Sequence, residues 1–398
     1  MNCKISEAKS NYRKIGDFIQ LVDERNKDLK VTKLLGLSIS KQFIPSVANT
    51  IGTNMKNYKI IRKNQFACST MQVRRDKKMP IALLQDFEEA IISQAYPVFK
   101  IIDETILNSE YLMMWFSRSE FDRHACFLAI GGVRGSLEWE DFLEMPIPVP
   151  SIEKQHEIVK EYNTVANRIT LNETINKKLE DTAQALYKNW FVENEDKSSK
   201  VLKLSDVCNL ITDGKHGDCK NEQNSGYYFI SIKDLVNGDI IYKNARQIIK
   251  SDFEETHRRT NLKKGDILMS NAGTIGRLAI TKDLPETKQT TFQKSVAIIK
   301  PNKKLVLSYF LYSMLKYNIE EIKELAGGST QSNLLLGDLR NYEFLYPGFE
   351  LVMNFEQKVI PIFQRIELNS KENLALKSMR ELILSKMSKV AIEKETVC

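Results

Sequence analysis

The residues best suited to bind a ligand are basic side chains on a short segment that is rich in glycine. Lys215 and His216 lie in the run from Gly214 to Gly217. A bendable loop there would bring backbone N–H groups and two basic side chains close to a phosphate. An ordinary polar turn has the same composition, and spacing alone favours that alternative. The run is therefore a candidate phosphate contact that needs a second line of support.

A basic run in the first half of the chain has similar chemistry. It contains Arg74, Arg75 and Lys77 within five residues that also include Asp76 and Lys78. Such a run can contact the phosphates of a nucleic acid, and it can equally be a solvated surface. We keep both interpretations open.

Two glycine-rich loops carry side chains that could read base edges. The loop after Gly327 places hydroxyl and amide groups on a flexible segment, among them Thr330 and Gln331. An amide side chain can form two hydrogen bonds to adenine, and Arg134, 196 residues before Thr330, has a side chain that suits guanine. Both loops could instead be plain connections between elements.

No motif for catalysis is found. The chain has no Pro-Pro pair of the kind that an amino-group methyltransferase uses, no GxGxxG and no GxxxxGK[ST]. The histidines are far apart in sequence: His124, His156, His216 and His257. Cys208 and Cys219 flank one of them, but two cysteines and one histidine fall short of a zinc site. We expect no catalytic residue and no metal in this chain.

Composition fits an ordinary globular protein. The 398 residues are enough for two or three domains, and 42% apolar and 27% charged residues argue against wholesale disorder. A net charge of +7 leans weakly towards a polyanionic partner. There is no CxxC among the six cysteines, and neither a membrane span nor a signal peptide is indicated. We expect a cytoplasmic protein without disulfides.

Two long helices must position these residues. From Ile158 to Trp190, apolar residues recur at alternating spacings of four and three, which is typical of a coiled-coil seam. The same pattern returns 197 residues later, from Phe355 to Met387. Polar interruptions recur in register, Asn172 with Asn369 and Asn176 with Asn373. One such helix would usually be core, whereas two matched copies are predicted to be partners.

The rest of the chain is also a repeat. Residues 14–18 and 203–207 open its two copies, and residues 97–100 in the first copy parallel 297–300 in the second. Each copy closes with a short segment containing proline and a long helix. Short β-prone runs alternate with helical periodicity inside each copy. The sequence therefore predicts an α+β unit, a helix, a second α+β unit and a second helix.

Several segments resemble the specificity (S) subunit of type I restriction–modification systems. The segment 147–159 is similar to the family's "IPLP…EQ…IV" start of the first long helix. Ile211–Gly217 resembles its "DGxH" segment, and Gly265–Arg277 resembles "GDIL.S..GTIGR". The first half departs from the pattern: residues 22–25 replace DGxH, and no GTIG follows Ser69.

The resemblance implies a fold. Two α+β target-recognition domains, residues 1–151 and 197–350, would alternate with two long helices, residues 152–196 and 351–398. The helices would pair as an antiparallel coiled coil, giving an internal pseudo-twofold repeat. Antiparallel pairing places Asn172 opposite Asn373 and Asn176 opposite Asn369. Arg380 would then face Val165, and we expect it to reach solvent.

The resemblance also implies a function. The chain would be a non-catalytic, DNA-binding specificity subunit that recognises a bipartite, asymmetric sequence in double-stranded DNA. The candidate DNA contacts are Lys215, His216, Arg277, Thr330, Gln331, Arg74, Arg75, Lys77 and Arg134. Methyltransferase (M) subunits would bind directly and restriction (R) subunits through them. S-adenosylmethionine, ATP and magnesium would belong to those partners. The rival hypothesis is a coiled-coil adaptor that binds proteins only.

Overall fold

The computed structural model describes residues 12–46, 53–130, 135–194, 199–327 and 332–388. Three candidate contacts, Arg134, Thr330 and Gln331, lie outside these described residues. The chain divides into two compact units. Unit 1 contains the chain up to residue 170 and from residue 373 onward, and unit 2 contains residues 171–372. Each unit therefore combines one α+β body with part of both long helices.

The elements of the first body follow in chain order. Its described strands are β1 (Tyr12–Lys14), β2 (Ile19–Val22), β3 (Leu35–Leu37), β4 (Phe43–Pro45), β5 (Lys59–Arg62), β6 (Phe66–Cys68), β7 (Ile81–Leu83), β8 (Glu89–Ile92), β9 (Val98–Ile101) and β10 (Pro146–Pro148). Its described helices are α1 (Val73–Asp76), α2 (Ser109–Phe116), α3 (Ser119–Leu128) and α4 (Trp139–Glu144). The first long helix, α5 (Ile152–Lys188), follows and ends in a π-helical turn, Asn189–Glu193.

The elements of the second body are given in the same way. Its described strands are β11 (Lys200–Lys203), β12 (Cys208–Asp213), β13 (Tyr228–Ile230), β14 (Leu235–Val236), β15 (Asp239–Ile240), β16 (Arg246–Gln247), β17 (Ile267–Ser270), β18 (Leu278–Ile280), β19 (Thr290–Phe292), β20 (Val296–Pro301) and β21 (Glu343–Tyr346). Its helices are α6 (Lys250–Thr260), α7 (Ser308–Tyr317), α8 (Ile319–Glu324), α9 (Leu336–Asn341) and the second long helix, α10 (Phe349–Lys386).

A four-stranded antiparallel sheet forms the centre of each body. Its order is β2-β9-β6-β7 in unit 1 and β12-β20-β17-β18 in unit 2. An antiparallel pair, β1 with β10 and β11 with β21, joins the start of each body to its end. Corresponding strands occupy corresponding places in the chain. The predicted α+β fold and internal repeat are confirmed.

Both faces of each central sheet are covered, and its inner strands β6 and β17 are buried along their whole length. In unit 2, Ile267 and Met269 of β17 pack against the helices, whereas Leu268 packs into a separate cluster on the other face. In unit 1, Phe66 and Ala67 of β6 divide in the same way. Successive residues of a strand point to opposite faces, so each body has two apolar layers.

One predicted helix is broken. The periodicity of residues 305–325 predicts a single helix, but the structure has α7 and α8, separated at Asn318. The backbone of Asn318 has φ −91° and ψ 17°, outside the α-helical region. Its side chain donates a hydrogen bond to the Met314 carbonyl at 3.1 Å, which closes the end of α7.

The long helices bury the predicted seams. All ten seam positions from Ile158 to Trp190, and all ten from Phe355 to Met387, are buried or half-buried. Ser151 Oγ accepts the Lys154 N–H at 3.4 Å, so Ser151 caps the N-terminus of α5. The observed helices fall within the predicted segments 152–196 and 351–398, except that α10 begins two residues earlier.

The order of packing shows that the helices run antiparallel. In unit 1, Val165 near the start of α5 shares a core with Ile383 near the end of α10. In unit 2, Ala183 near the end of α5 shares a core with Phe355 near the start of α10. The early part of each helix therefore packs with the late part of the other.

A buried side chain from each long helix holds the first turn of a helix in its body. In unit 1, Gln155 Oε1 accepts the Asn108 N–H at 2.9 Å, directly before α2. In unit 2, the Glu356 carboxylate accepts the N–H groups of Tyr309 and Phe310 at 3.1 and 2.9 Å, in the first turn of α7. Burial raises the pKa of Glu356 above its usual value. An amide and a carboxylate thus serve the same purpose in the two units.

Candidate nucleic-acid interface

The basic candidates of both units lie on the same connection of the central sheet. In unit 1, residues 69–80 connect β6 to β7 and contain Arg74, Arg75 and Lys77. In unit 2, residues 271–277 connect β17 to β18 and end with Arg277. Because the sheet orders correspond, these connections are equivalent. Sequence comparison missed the equivalence because the first connection is longer and has no GTIG segment.

A second loop is tied to this connection in each unit. Ile130 and Ser136 exchange backbone hydrogen bonds of 3.0 Å, and Gly327 and Asn333 do the same at 3.2 and 3.0 Å. Next to these bridges, the Leu137 N–H donates to Thr70 at 2.9 Å and the Leu334 N–H donates to Asn271 at 2.8 Å. The two units thus build the same pair of loops. The predicted contacts Arg134, Thr330 and Gln331 belong to the parts of these loops that lie outside the described residues.

The connection in unit 2 is a compact turn. Ser270 Oγ donates to the Thr274 carbonyl at 2.6 Å and accepts the Arg277 N–H at 2.8 Å. Gly276 has a φ of +87°, a backbone conformation that favours glycine. The Arg277 side chain is exposed, and its Nη1 donates to the Ile232 carbonyl at 3.2 Å. One donor is therefore fixed, which orients the remaining guanidinium donors towards solvent.

The loop after β12 requires a glycine. A Cβ atom on Gly214 would lie 1.9 Å from the Phe292 carbonyl oxygen, which no side chain can satisfy without a backbone shift. The Lys215 N–H donates to that same carbonyl at 2.8 Å. Arg259 of α6 fixes the loop from the other side, donating to Thr212 Oγ1 at 2.7 Å and to the Gly214 carbonyl at 2.8 Å. No local pattern points to Arg259, because it lies 45 residues from Gly214 in the chain.

The two basic side chains of this loop differ in their surroundings. Lys215 Nζ pairs with Glu255, and the lysine side chain is only 15% exposed. This hydrogen bond raises the pKa of Lys215. His216 is 68% exposed, and its Nε2 lies 2.8 Å from Asp213 Oδ2. Both side chains contact a carboxylate, but the His216 ring is mostly exposed to solvent and the Lys215 side chain is mostly covered.

Helix α1 presents the candidates of unit 1. Gln72 and Lys77, in left-handed conformations, bound this single turn, and Arg74, Arg75 and Lys77 are exposed. Arg75 forms two hydrogen bonds to Asp76, at 2.7 and 3.0 Å, which lower the pKa of that carboxyl. Much of the charge of Arg75 is therefore already compensated.

The asparagines of the long helices form buried polar contacts. In unit 2, Asn369 Nδ2 donates to Asn176 Oδ1 at 2.8 Å, and Asn172 Nδ2 donates to Glu372 at 2.9 Å. The sequence did not single out Glu372. In unit 1, Asn373 Nδ2 lies 3.5 Å from the Ile169 carbonyl.

Arg380 differs from the expectation that it reaches solvent. The residue is half-buried, and its Nε is enclosed. It lies close enough to Tyr162 for its charge to oppose the rise that burial causes in the pKa of that phenol. The neighbouring seam residues Ile383 and Met387 are buried, so the aliphatic part of Arg380 is covered as well.

The described residues contain no cluster of three or more histidine, cysteine, aspartate or glutamate side chains that could hold a metal ion. Within the same ranges, no helix combines the length and the apolar character that crossing a membrane requires.

Known proteins resemble this chain over most of its length. The type I restriction modification DNA specificity domain matches twice, at residues 8–181 and 196–378. The type I restriction enzyme MjaIX specificity subunit of Methanocaldococcus jannaschii is 24% identical over 306 residues, covering 72% of this chain and 70% of that protein. The type I restriction enzyme HindI specificity subunit of Haemophilus influenzae is 22% identical over 384 residues, covering 76% of this chain and 81% of that protein.

A solved structure has the same fold. The S subunit of a type I restriction–modification system from M. genitalium superposes with a TM-score of 0.56 at 18% identity, covering 97% of this chain and 96% of that one. At this level of identity the similarity concerns the fold alone.

Proposed function

Because this chain belongs to the type I restriction–modification DNA specificity family, we propose that each of its units reads one half of a bipartite, asymmetric DNA target. Proteins of this family are specificity subunits and are non-catalytic, so this chain is not an enzyme by itself. The observation that supports two readers is the equivalent pair of loops on the two central sheets. Each pair carries exposed basic side chains, Arg74 and Lys77 in unit 1 and Arg277 in unit 2.

The different connections favour an asymmetric target. Residues 69–80 form a helical turn with several charges, whereas residues 271–277 form a tight turn with one arginine. Base edges are read by the few side chains that reach a groove, and two such different surfaces would select different bases.

The surroundings of each charge suggest which residues contact DNA. Arg277 and His216 in unit 2, with Arg74, Arg75 and Lys77 in unit 1, are exposed and suit direct contacts. Lys215 is mostly buried and is held by a carboxylate, so it suits the positioning of its loop. Phosphate contacts would fix the orientation of each unit, and contacts to base edges would supply sequence selection.

The chemistry would belong to partner subunits. We propose that methyltransferase subunits bind this chain and that restriction subunits join through them. S-adenosylmethionine, ATP and magnesium would be bound by those partners.

Salt-dependent DNA binding tests the proposed function. The chain, assembled with its methyltransferase subunits, is titrated with a random-sequence duplex at several salt concentrations. Neutralisation of phosphates by lysine and arginine should weaken binding steeply as salt rises. The variant Arg74→Ala/Lys77→Ala/Arg277→Ala should have a shallower salt slope, by about one for each phosphate contact removed. Lys63→Ala is the matched control, because it removes an exposed charge that pairs with Glu88 at 2.7 Å and lies before β6, at the opposite end of that strand from residues 69–80. An adaptor that binds proteins only would not respond to DNA.

A further inference from the structure

An apolar surface lies beside the basic connection of unit 1. Phe127, in the last turn of α3, is 84% exposed, and Ile130, just beyond the helix, is 68% exposed. Neighbouring aromatic residues of the same body, such as Phe116 and Phe121, are buried. A single exposed apolar residue is ordinary, but two large ones together on a charged surface suggest a contact.

The exposed phenylalanine has no apolar counterpart in the second unit. Helix α3 is Ser119–Leu128, and the equivalent helix α8 is Ile319–Glu324. Both are followed by the equivalent backbone bridges at Ile130 and Gly327. Phe127 lies three residues before the first bridge, and Glu324 lies three residues before the second. The exposed aromatic side chain is therefore a feature of one unit rather than of the shared fold.

Contacts at both ends of α3 fix this helix next to the basic residues. Helix α3 packs against α1, which presents Arg74. Near its start, Asp122 accepts the Met79 N–H of the connection between β6 and β7 at 3.1 Å. Beyond its end, the bridge at Ile130 continues to Leu137, which donates to Thr70 of the same connection at 2.9 Å. The last turn of α3 therefore lies at the margin of the proposed DNA-binding surface.

The combination of charge and apolar surface indicates which ligand binds this part of unit 1. Arg74 on α1, Lys77 and Lys78 just after α1, and Arg123 on α3 are exposed on the same body as the apolar residues. Duplex DNA matches this arrangement, because its phosphates are negative and its stacked bases are apolar. Proteins that deform DNA use apolar side chains, phenylalanine among them, as wedges between base pairs.

We propose that Phe127 inserts at a base-pair step in the half-site read by unit 1, unstacking that step and bending the duplex. This inference rests on the proposed DNA-reading function. Steps of a pyrimidine followed by a purine unstack most readily, so the half-site of unit 1, or its immediate flank, should contain one. Unit 2, which has Glu324 at the equivalent position, should bind its half-site without such a wedge.

Fluorescence of 2-aminopurine tests the wedge. The methylated motif is first identified by sequencing, and the complex with methyltransferase subunits is bound to duplexes with 2-aminopurine at successive positions. Unstacking increases the fluorescence of this base. We expect an increase at one step with the wild-type chain, and at none with Phe127→Ala. The Ala variant should bind about tenfold more weakly, and Phe127→Leu should keep the increase because leucine also acts as a wedge.

Leu325→Ala is the matched control. Leu325 is the exposed apolar residue, 41% exposed, just after α8 in unit 2, and its removal should leave the increase unchanged. An unchanged increase with Phe127→Ala would overturn the wedge while leaving DNA reading intact. Loss of methyltransferase subunits from the Phe127→Ala complex would also overturn it, by making Phe127 a protein contact. Absence of DNA binding by the wild-type complex would instead refute the proposed function itself.

Discussion

The connections 69–80 and 271–277 show how one scaffold can be used to read two sequences. Both leave and re-enter corresponding strands of the same four-stranded sheet, and both are tied to a second loop by a hydrogen bond between equivalent residues. Within these limits they differ in length, backbone conformation and charge. The sheet and its apolar layers fix where the connections lie, and the residues within them are free to differ. Specificity can therefore change without loss of the fold.

The largest effect should come from Gly214, where unit 2 has a close backbone contact. Gly214→Ala places a Cβ atom against the Phe292 carbonyl, so the loop or β19 must move. We expect a loss of about 3 kcal/mol or more in the free energy of unfolding of unit 2. Gly337→Ala is the control, since a Cβ there meets nothing within 4 Å. Denaturant unfolding measures both variants, and a Gly214→Ala protein as stable as Gly337→Ala would contradict the strict requirement for glycine.

Arg277 should contribute more to DNA affinity than Lys215. Arg277→Ala removes exposed donors and should cost about 1–3 kcal/mol of binding free energy if the side chain contacts a base. Lys215→Ala should cost less, because Lys215 is already paired with Glu255. Fluorescence anisotropy with a duplex carrying the target measures both. Equal losses would mean that the ion pair opens when DNA binds and that the two residues have the same role.

Substitution of the buried asparagines tests the proposal that polar contacts set the register of the long helices. Asn369→Leu leaves Asn176 without the amide that donates to it, at a cost of about 1–3 kcal/mol. The double variant Asn176→Leu/Asn369→Leu should recover much of this loss, because neither polar group remains. Leu368→Ala, at an exposed neighbour, should be close to neutral. A double variant no more stable than the single one would show that the amides do not act as a pair.

The smallest effect should come from the ionisation of Glu356, which its neutral counterpart in unit 1, Gln155, does not have. Burial raises the pKa of Glu356, so folding favours its protonated form, and the backbone N–H groups of α7 and the charge of Lys303 oppose this only in part. Its contribution to stability is present below the ordinary pKa of 4.5 and is lost as pH rises through the raised value. Relative to Glu356→Gln, the wild-type chain should thus become less stable between pH 4.5 and neutrality. Urea unfolding at both pH values tests this, and a constant difference would contradict it.

Sequence reasoning succeeded where the pattern is local. The seams of α5 and α10 follow from apolar spacing alone, and every predicted seam position is covered in the structure. The β-prone runs 227–232, 266–269 and 295–299 predict strands that the structure has as β13, β17 and β20, with ends that differ by at most two residues. Periodicity is preserved along one element, so it can be read without knowledge of the rest of the chain.

Sequence reasoning failed where the side chain that a residue contacts is distant in the chain. Glu255, which compensates Lys215, lies 40 residues away on α6, and no local signal pairs them. Asp122, which anchors α3, meets Met79 from 43 residues away. The equivalence of residues 69–80 and 271–277 also became visible only through the sheet order. Long-range contacts depend on the fold, so charge alone does not show which basic residues are available to a ligand.

Exchange of one unit tests the two-reader function most directly. Residues 203–340, which form the body of unit 2, are replaced by the corresponding segment of another specificity subunit, and methylated positions in the host genome are sequenced. If each unit reads its own half-site, one half of the methylated motif should change and the other should stay the same. A change in both halves at once would contradict independent reading by the two units.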